Sequence, residues 1–234
     1  MRATQLLLKG LFCLGLIISC KDTPRNKNTV VTKIINQPTA AALKEKVISE
    51  KQKLTVENAI DFFYHYKQKS NASKVKITTR LGSFTIQLYD NVPYHKANFL
   101  YLTEQGYFKQ TQFHRVVKNF IIQGGNSDDV VTAKKRNIIG SYLLPPDAKK
   151  GYKHTRGTVS MPSSEINNPH MLASPYEFFI VVANNGAHHL NSDYTPFGKV
   201  IEGMDVVDLI SNQPVEEGDW PIQNIYIQDA RILN

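Results

Sequence analysis

Phe113-His114-Arg115-Val116-Val117-Lys118-Asn119-Phe120-Ile121-Ile122-Gln123-Gly124-Gly125 is the stretch on which the reading of this chain turns. β-Branched and aromatic residues dominate it, a Lys-Asn pair interrupts it and two glycines end it, which is the composition of strand, turn and strand. A period of two puts Arg115, Val117 and Asn119 on one side of an unbroken strand. Phe120 shares that face only if the chain bends near Lys118-Asn119. Taken alone, the segment reads better as a strand that carries a surface arginine.

Upstream, Val75-Lys76-Ile77-Thr78 and Phe84-Thr85-Ile86-Gln87-Leu88-Tyr89 alternate around Gly82, which predicts a β-hairpin. Pro93 opens a helix over Tyr94 to Gln105 that Gly106 closes. Downstream, short apolar strands are expected around Phe120–Gln123, Thr158–Met161, Phe178–Val182 and Phe197–Val200. A second helix is expected from Glu202 to Asn212 with Met204, Val207 and Ile210 inward, then one strand from Ile225 to Ile232. These elements predict a mainly β domain over 74–234, a closed barrel of about eight strands capped by two helices. Ahead of it, 54–73 forms a helical extension: Thr55 reads as a cap, and Val56, Ile60, Phe63 and Tyr64 line the side that docks on the domain.

The N-terminus reads as an address. Arg2 and Lys9 accompany an apolar run from Gly10 to Ile18 that is too short to cross a bilayer unaided, so 1–19 has the form of a signal peptide. Ile17-Ile18-Ser19-Cys20 resembles a bacterial lipobox, which implies cleavage before Cys20 and a lipid on its thiol. Residues 20–53, rich in Lys, Asn and Thr, read as a tether. Of the formal charge of +8, the tether holds eight Lys/Arg against three acidic residues, +5, while 54–234 holds only +1. The basic excess therefore suits an anionic membrane surface, and nucleic-acid binding loses its support. The expected setting is the cell envelope, lipid-anchored on the periplasmic side or the cell surface.

Two cysteines exclude a disulfide scaffold, and the chain has neither Gly-x-Ser-x-Gly nor a Gly-Lys-Ser/Thr phosphate loop. His188 and His189 are adjacent, a poor metal pair, so no metal is expected.

The Phe113–Gly125 segment resembles the signature of the cyclophilins, the cyclosporin-binding peptidyl-prolyl cis–trans isomerases. Val92-Pro93 through Asn98-Phe99, Lys153 to Met161, Glu177-Phe178-Phe179-Ile180 and Phe197 to Val207 resemble further family segments in the same order. The resemblance covers about 75–234. It implies a catalytic Arg115, a proline pocket lined by Phe120, Ile121, Phe179 and Leu190, and Gln123 touching the substrate backbone, with no cofactor. Partners would be proline-containing polypeptide segments, met by a monomer.

Five positions depart from the family pattern. Glu177 stands where the family usually has Gln, which predicts a carboxylate that either draws Arg115 away from substrate or steadies it. His189 replaces a frequent Trp, Tyr194 a frequent His, and Pro162-Ser163 an Ala-Asn pair at the groove. Ser163 keeps a backbone N–H and C=O for a peptide; Pro162 has no donor. The expected function is prolyl isomerisation assisting exported proteins, the alternative a module that grips proline segments with little turnover. Glu177 is the feature that favours the alternative.

Overall fold

In the computed structural model, residues 53–69, 71–163 and 167–233 are described. The expected signal peptide, Cys20 and nearly all of the tether lie outside them. In chain order the elements are α1 (Ala59–Tyr66), β1 (Lys74–Thr79), β2 (Gly82–Leu88), α2 (Pro93–Glu104), β3 (Gln112–Val117), β4 (Ile121–Asn126), α3 (Val130–Ile139), β5 (Thr158–Met161), β6 (Phe178–Val181), β7 (Thr195–Glu202), α4 (Met204–Ser211) and β8 (Asp229–Leu233).

The alternating hairpin pairs as its pattern demands, with Val75 opposite Ile86 and Ile77 opposite Phe84, all four buried. The eight strands form one antiparallel sheet in the order β3-β4-β6-β5-β7-β2-β1-β8. It curls, and its ladder ends at β3 and β8. What spans those two edges is a single bridge, Gln112–Tyr226, with main-chain bonds from Phe113 N–H to Ile225 O (2.9 Å) and from Ile227 N–H to Thr111 O (2.8 Å). The strand expected over Ile225–Ile232 is therefore two pieces. Its first half faces β3, Gln228 N–H turns to Thr78 O (2.8 Å), and its second half pairs with β1. One run of alternating residues serves two neighbours in succession, and the alternation cannot reveal that exchange.

The main core fills the inside of the curl with Phe84, Phe99, Phe108, Phe113, Phe178 and Phe197, all essentially inaccessible. α2 and α4 cover it; Val207 and Ile210 of α4 are buried, and Met204 packs partly against the core. Arg156 fastens α4 in place, donating to both carboxylate oxygens of Asp208 and to Val182 O at the end of β6.

The extension docks through Ile60 and Phe63 as expected, but not through Val56 and Tyr64. Leu54, Ala59 and Phe63 are buried and Ile60, Phe62 and Tyr66 pack alongside, whereas Val56 and Tyr64 are exposed. The helix begins only at Ala59, because Asn58 Oδ1 accepts the Thr55 N–H (2.8 Å) and holds 55–58 in a turn, so the helix starts three residues later than a Thr55 cap implies. Leu54 makes a parallel bridge to Gly140, its N–H donating to Ile139 O (2.7 Å). At Gly140, with φ 141°, any Cβ would overlap the Leu54 carbonyl, so only glycine allows this approach.

α3 is an element the sequence reading lacked. Asp129 caps it, Oδ1 accepting the Val131 N–H (2.8 Å). Lys135 ties it to the end of α2 by donating to the carbonyls of Gly106 (3.0 Å) and Tyr107 (3.2 Å).

Candidate active site

Period-two alternation puts two different apolar groups on the two sides of β3, β4 and β6. Val116, Ile122, Phe178 and Ile180 point into the main core. Their neighbours Ile121, Phe179 and Val181 point outward and, with Ala187, form a second, separate cluster on which Val117, Phe120, Ala183, Leu190 and Tyr194 pack. The register fixes how the outward side chains line up. Arg115 lies opposite Gln123, Gln123 opposite Phe179, and Phe179 opposite Ser160, a single row across four strands. Neighbouring strands are about 4.8 Å apart, so each member of the row can touch the next. Val117, Ile121 and Val181 form the adjacent row.

The bend required near Lys118-Asn119 is present. Asn119 has φ 58° and Phe120 N–H bonds to Val117 O (3.0 Å). Asparagine tolerates that left-handed conformation better than most residues. The turn carries Phe120 onto the outward face, where its ring stacks on His189 (centroids 5.3 Å apart, 23° between planes). Phe179 meets Tyr194 edge-on at 5.7 Å and lies parallel to His154 at 5.9 Å. Phe120, Ile121, Phe179, His189, Leu190 and Tyr194 thus come together as one apolar wall and floor beside the Arg115–Gln123 row.

Pro162 and Ser163 follow the end of β5. The Pro162 carbonyl accepts from Ser174 N–H (2.8 Å), and Ser163 bridges Ala173, so this stretch is tied to the returning loop.

His154 is buried under Phe179, its Nε2 3.1 Å from Ser160 Oγ and its Nδ1 3.0 Å from Asn191 Oδ1. Burial pulls its pKa below the ordinary histidine value, against the opposing hydrogen bond to Asn191. It acts as a neutral brace for the floor.

Glu177 and Arg115 are not partners, contrary to the expectation from sequence. The Glu177 carboxylate accepts from Gln123 Nε2 (2.8 Å) and Asn126 Nδ2 (2.9 Å), with His114 Nε2 at 3.5 Å and Arg136 Nη2 at 3.8 Å. Burial pushes its pKa up, but His114, Gln123 and Arg136 together outweigh that and hold it below the usual carboxylate range. Arg136, from the unanticipated α3, is the cation of this network. It donates from Nη2 to Asn126 Oδ1 (2.7 Å) and from Nε to the Tyr107 hydroxyl (2.9 Å), and it lies over the Tyr176 ring at 5.3 Å. Gly125, in the glycine pair, has φ 96° and passes so close to Tyr176 O that a Cβ would overlap it.

The carboxylate beside Arg115 is Asp219, whose Oδ2 lies 3.3 Å from Arg115 Nε. Asp219 sits at φ 66° in the turn before the last strand, and its carbonyl accepts the Val116 N–H (2.8 Å). The side chain is thereby delivered one residue along from Arg115. The only tryptophan, Trp220, follows it, with its ring 5.9 Å from His114. Gly218-Asp219 reads from sequence only as a loop signal, so nothing there pointed to an ion pair across 104 residues of chain.

A row holding a guanidinium and a carboxamide, set beside an apolar floor on which half-buried Phe120, Leu190 and Tyr194 pack, fits an extended peptide with a small apolar ring. The family model for cyclophilin-type peptidyl-prolyl cis-trans isomerases matches residues 74–232. The chain is 36% identical over 164 residues to a peptidyl-prolyl cis-trans isomerase of Acinetobacter baylyi, covering 68% of this chain and 82% of that protein. It is 36% identical over 160 residues to peptidyl-prolyl cis-trans isomerase CYP18-1 of Arabidopsis thaliana, covering 68% and 94%. Among solved structures, a Cryptosporidium parvum cyclophilin-type isomerase superposes with a TM-score of 0.59 at 31% identity, over 70% of this chain and 98% of that one. A second structure of it, in the presence of the dipeptide Ala-Pro, gives a TM-score of 0.58. The chain belongs to the cyclophilin-type peptidyl-prolyl cis–trans isomerases. It is an isomerase of X–Pro bonds over a domain that begins at β1, and the segment before β1 lies outside the family match.

Proposed function

We propose that this isomerase turns over proline-containing segments of exported polypeptides at a lipid-anchored site in the bacterial cell envelope, working as a monomer. The observation that carries the catalytic part is the register row Arg115–Gln123–Phe179 beside the cluster of Phe120, Ile121, Leu190 and Tyr194. The apolar floor takes the prolyl ring and Arg115 faces the prolyl nitrogen. The X–Pro bond rotates slowly because amide conjugation opposes it, and the twisted transition state localises a lone pair on that nitrogen. A guanidinium N–H binds the localised pair better than the planar amide, and only such differential binding accelerates rotation. Asp219 lies at Nε, which leaves the two terminal nitrogens of Arg115 for the substrate. No covalent intermediate and no cofactor enter this scheme. Support for substrate of this kind comes from the Cryptosporidium relative solved with Ala-Pro.

The test of turnover is a protease-coupled or NMR-exchange assay on a proline tetrapeptide, with Arg115→Ala beside the wild type. A wild-type rate no faster than the thermal one would favour a proline-binding module instead. The envelope setting rests on the sequence alone: the apolar run to Ile18, Ile17-Ile18-Ser19-Cys20 and the basic tether. Cys20→Ala is expected to abolish lipid labelling and membrane retention; a variant still labelled overturns the anchor.

A further inference from the structure

Gln123 is the member of the row whose orientation its neighbours dictate. A carboxamide ordinarily offers a donor and an acceptor, and it can turn either end to a neutral partner. Here the partner is Glu177, which only accepts when ionised, and its Oε2 takes the Gln123 amide nitrogen at 2.8 Å. Glu177 cannot be relieved of that role by a shuffle of its other contacts. Its Oε1 takes Asn126 Nδ2 at 2.9 Å, and Asn126 is locked in turn because its own Oδ1 accepts from Ser127 N–H (2.8 Å) and Arg136 Nη2 (2.7 Å). Gln123 and Asn126 donate to the carboxylate, and His114 and Arg136 beside it favour its ionised form. The remaining atom of the Gln123 head, Oε1, has no hydrogen-bond partner among the described residues, and Gln123 itself stands between Arg115 and Phe179 in the row.

We propose that Glu177 sets the polarity of Gln123, holding the amide nitrogen on the carboxylate and leaving Oε1 as the free acceptor, so that the groove holds its peptide through a backbone N–H on a residue flanking the proline. The proline nitrogen carries no hydrogen, so the donor must come from a neighbour. Glu177 is then a positioning residue and Gln123 the specificity-determining one. A glutamine at 177 would accept or donate and leave both orientations open. The proposal rests on the isomerase reading above, since it assigns that groove a rule for its substrate.

The experiment compares a proline tetrapeptide with two depsipeptides in which an ester replaces, in turn, the amide N–H before and after the X–Pro unit. Dissociation constants come from NMR titration and kcat/KM from exchange spectroscopy. A lost hydrogen bond of this kind is expected to weaken one of the two esters about three- to tenfold in the wild type. In Glu177→Gln, whose fold is checked by its amide spectrum, that ratio is expected to fall to within about twofold. Gln123→Ala, which leaves the carboxylate network in place, is expected to lose the discrimination as well, and it stands as the test if Glu177→Gln does not fold. Equal binding of both esters and the parent peptide by the wild type overturns the proposal, as does an unchanged ratio in either variant. Failure of the isomerase reading looks different: the parent peptide would bind with no turnover, while the ratio of dissociation constants still reports on Gln123.

Discussion

Arg115 and Glu177 show how far a side chain's role depends on what else competes for it. A sequence reading that places a carboxylate near Arg115 chooses Glu177, the nearest departure from the family pattern. The structure gives Glu177 to Gln123 and Asn126 and gives Arg115 to Asp219. Arg115→Ala is expected to cost about 10²–10³ in kcat, the usual loss for one donor aimed at transition-state charge. His114→Ala and Lys118→Ala should not approach that loss. A near-wild-type rate for Arg115→Ala in an exchange assay would remove the mechanism. Asp219→Asn should be mild. The pair is partly exposed, and such pairs are worth about 0.2–1 kcal/mol, so a fall of no more than about fivefold in kcat is expected with an unchanged urea midpoint. A larger fall with the fold intact would make Asp219 essential to how Arg115 is aimed.

Among elements, the strands and the helices α2 and α4 were legible because each carries one period and one terminator: Pro93 and Gly106 for α2, alternation for β1 and β2. Where legibility failed, two structures share one pattern. Val130-Val131-Thr132 favours a strand by composition, yet Asp129 caps it and Lys135 reaches α2, so tertiary contacts decide for a helix. α3 supplies Arg136, and missing it hid the cation that Glu177 answers to. On the expected face of α1, Ile60 and Phe63 pack inward, while Val56 is lost to it for a local reason, the Asn58 turn. Its anchor, Phe63, lies between Tyr101 at 6.0 Å and Tyr142 at 5.6 Å. Phe63→Ala is expected to destabilise the domain by about 3–5 kcal/mol, read from urea unfolding, because a fully buried ring is lost. A cost below about 1 kcal/mol would mean that α1 is an appendage rather than part of the core.

For the whole molecule, acid is the revealing variable. His95 on α2 is fully buried, and neither ring nitrogen has a partner among the described residues; burial pulls its pKa down to about 3. The unfolded chain, with an ordinary histidine, takes up that proton first. Stability is therefore complete above about pH 6.5 and declines as pH falls toward 3. Glu177, also lowered, acts in the same direction, losing its contribution as pH falls through its folded-state value. Between pH 7 and 4.5 the His95 contribution alone is expected to be roughly 2–3 kcal/mol by urea unfolding. His95→Met should flatten the profile, and an equally steep decline in that variant would clear His95 of the effect. A second expectation concerns extent. Residues 54–234, retaining Leu54 and α1, should form a folded monomer by circular dichroism and light scattering, and aggregation would misplace the boundary. The site as a whole was legible in kind, since Arg115, Phe120, Ile121, Gln123, Phe179 and Leu190 fall on one face. Its supports, Asp219, His154 and Arg136, were not, because each reaches its partner from an element whose position only the folded sheet defines.

Trp220 gives the molecule an optical reporter of its own. It is the only indole in the chain, its Nε1 lies 3.4 Å from Asn224 Oδ1, and its ring stands 5.9 Å from His114, one residue from Arg115 and within the same turn as Asp219. Indole emission, excited selectively over the eleven tyrosines, therefore comes from a single place beside Arg115 and Asp219. A peptide that settles there alters the surroundings of that one chromophore, so occupancy can be followed in unlabelled protein by its colour and brightness.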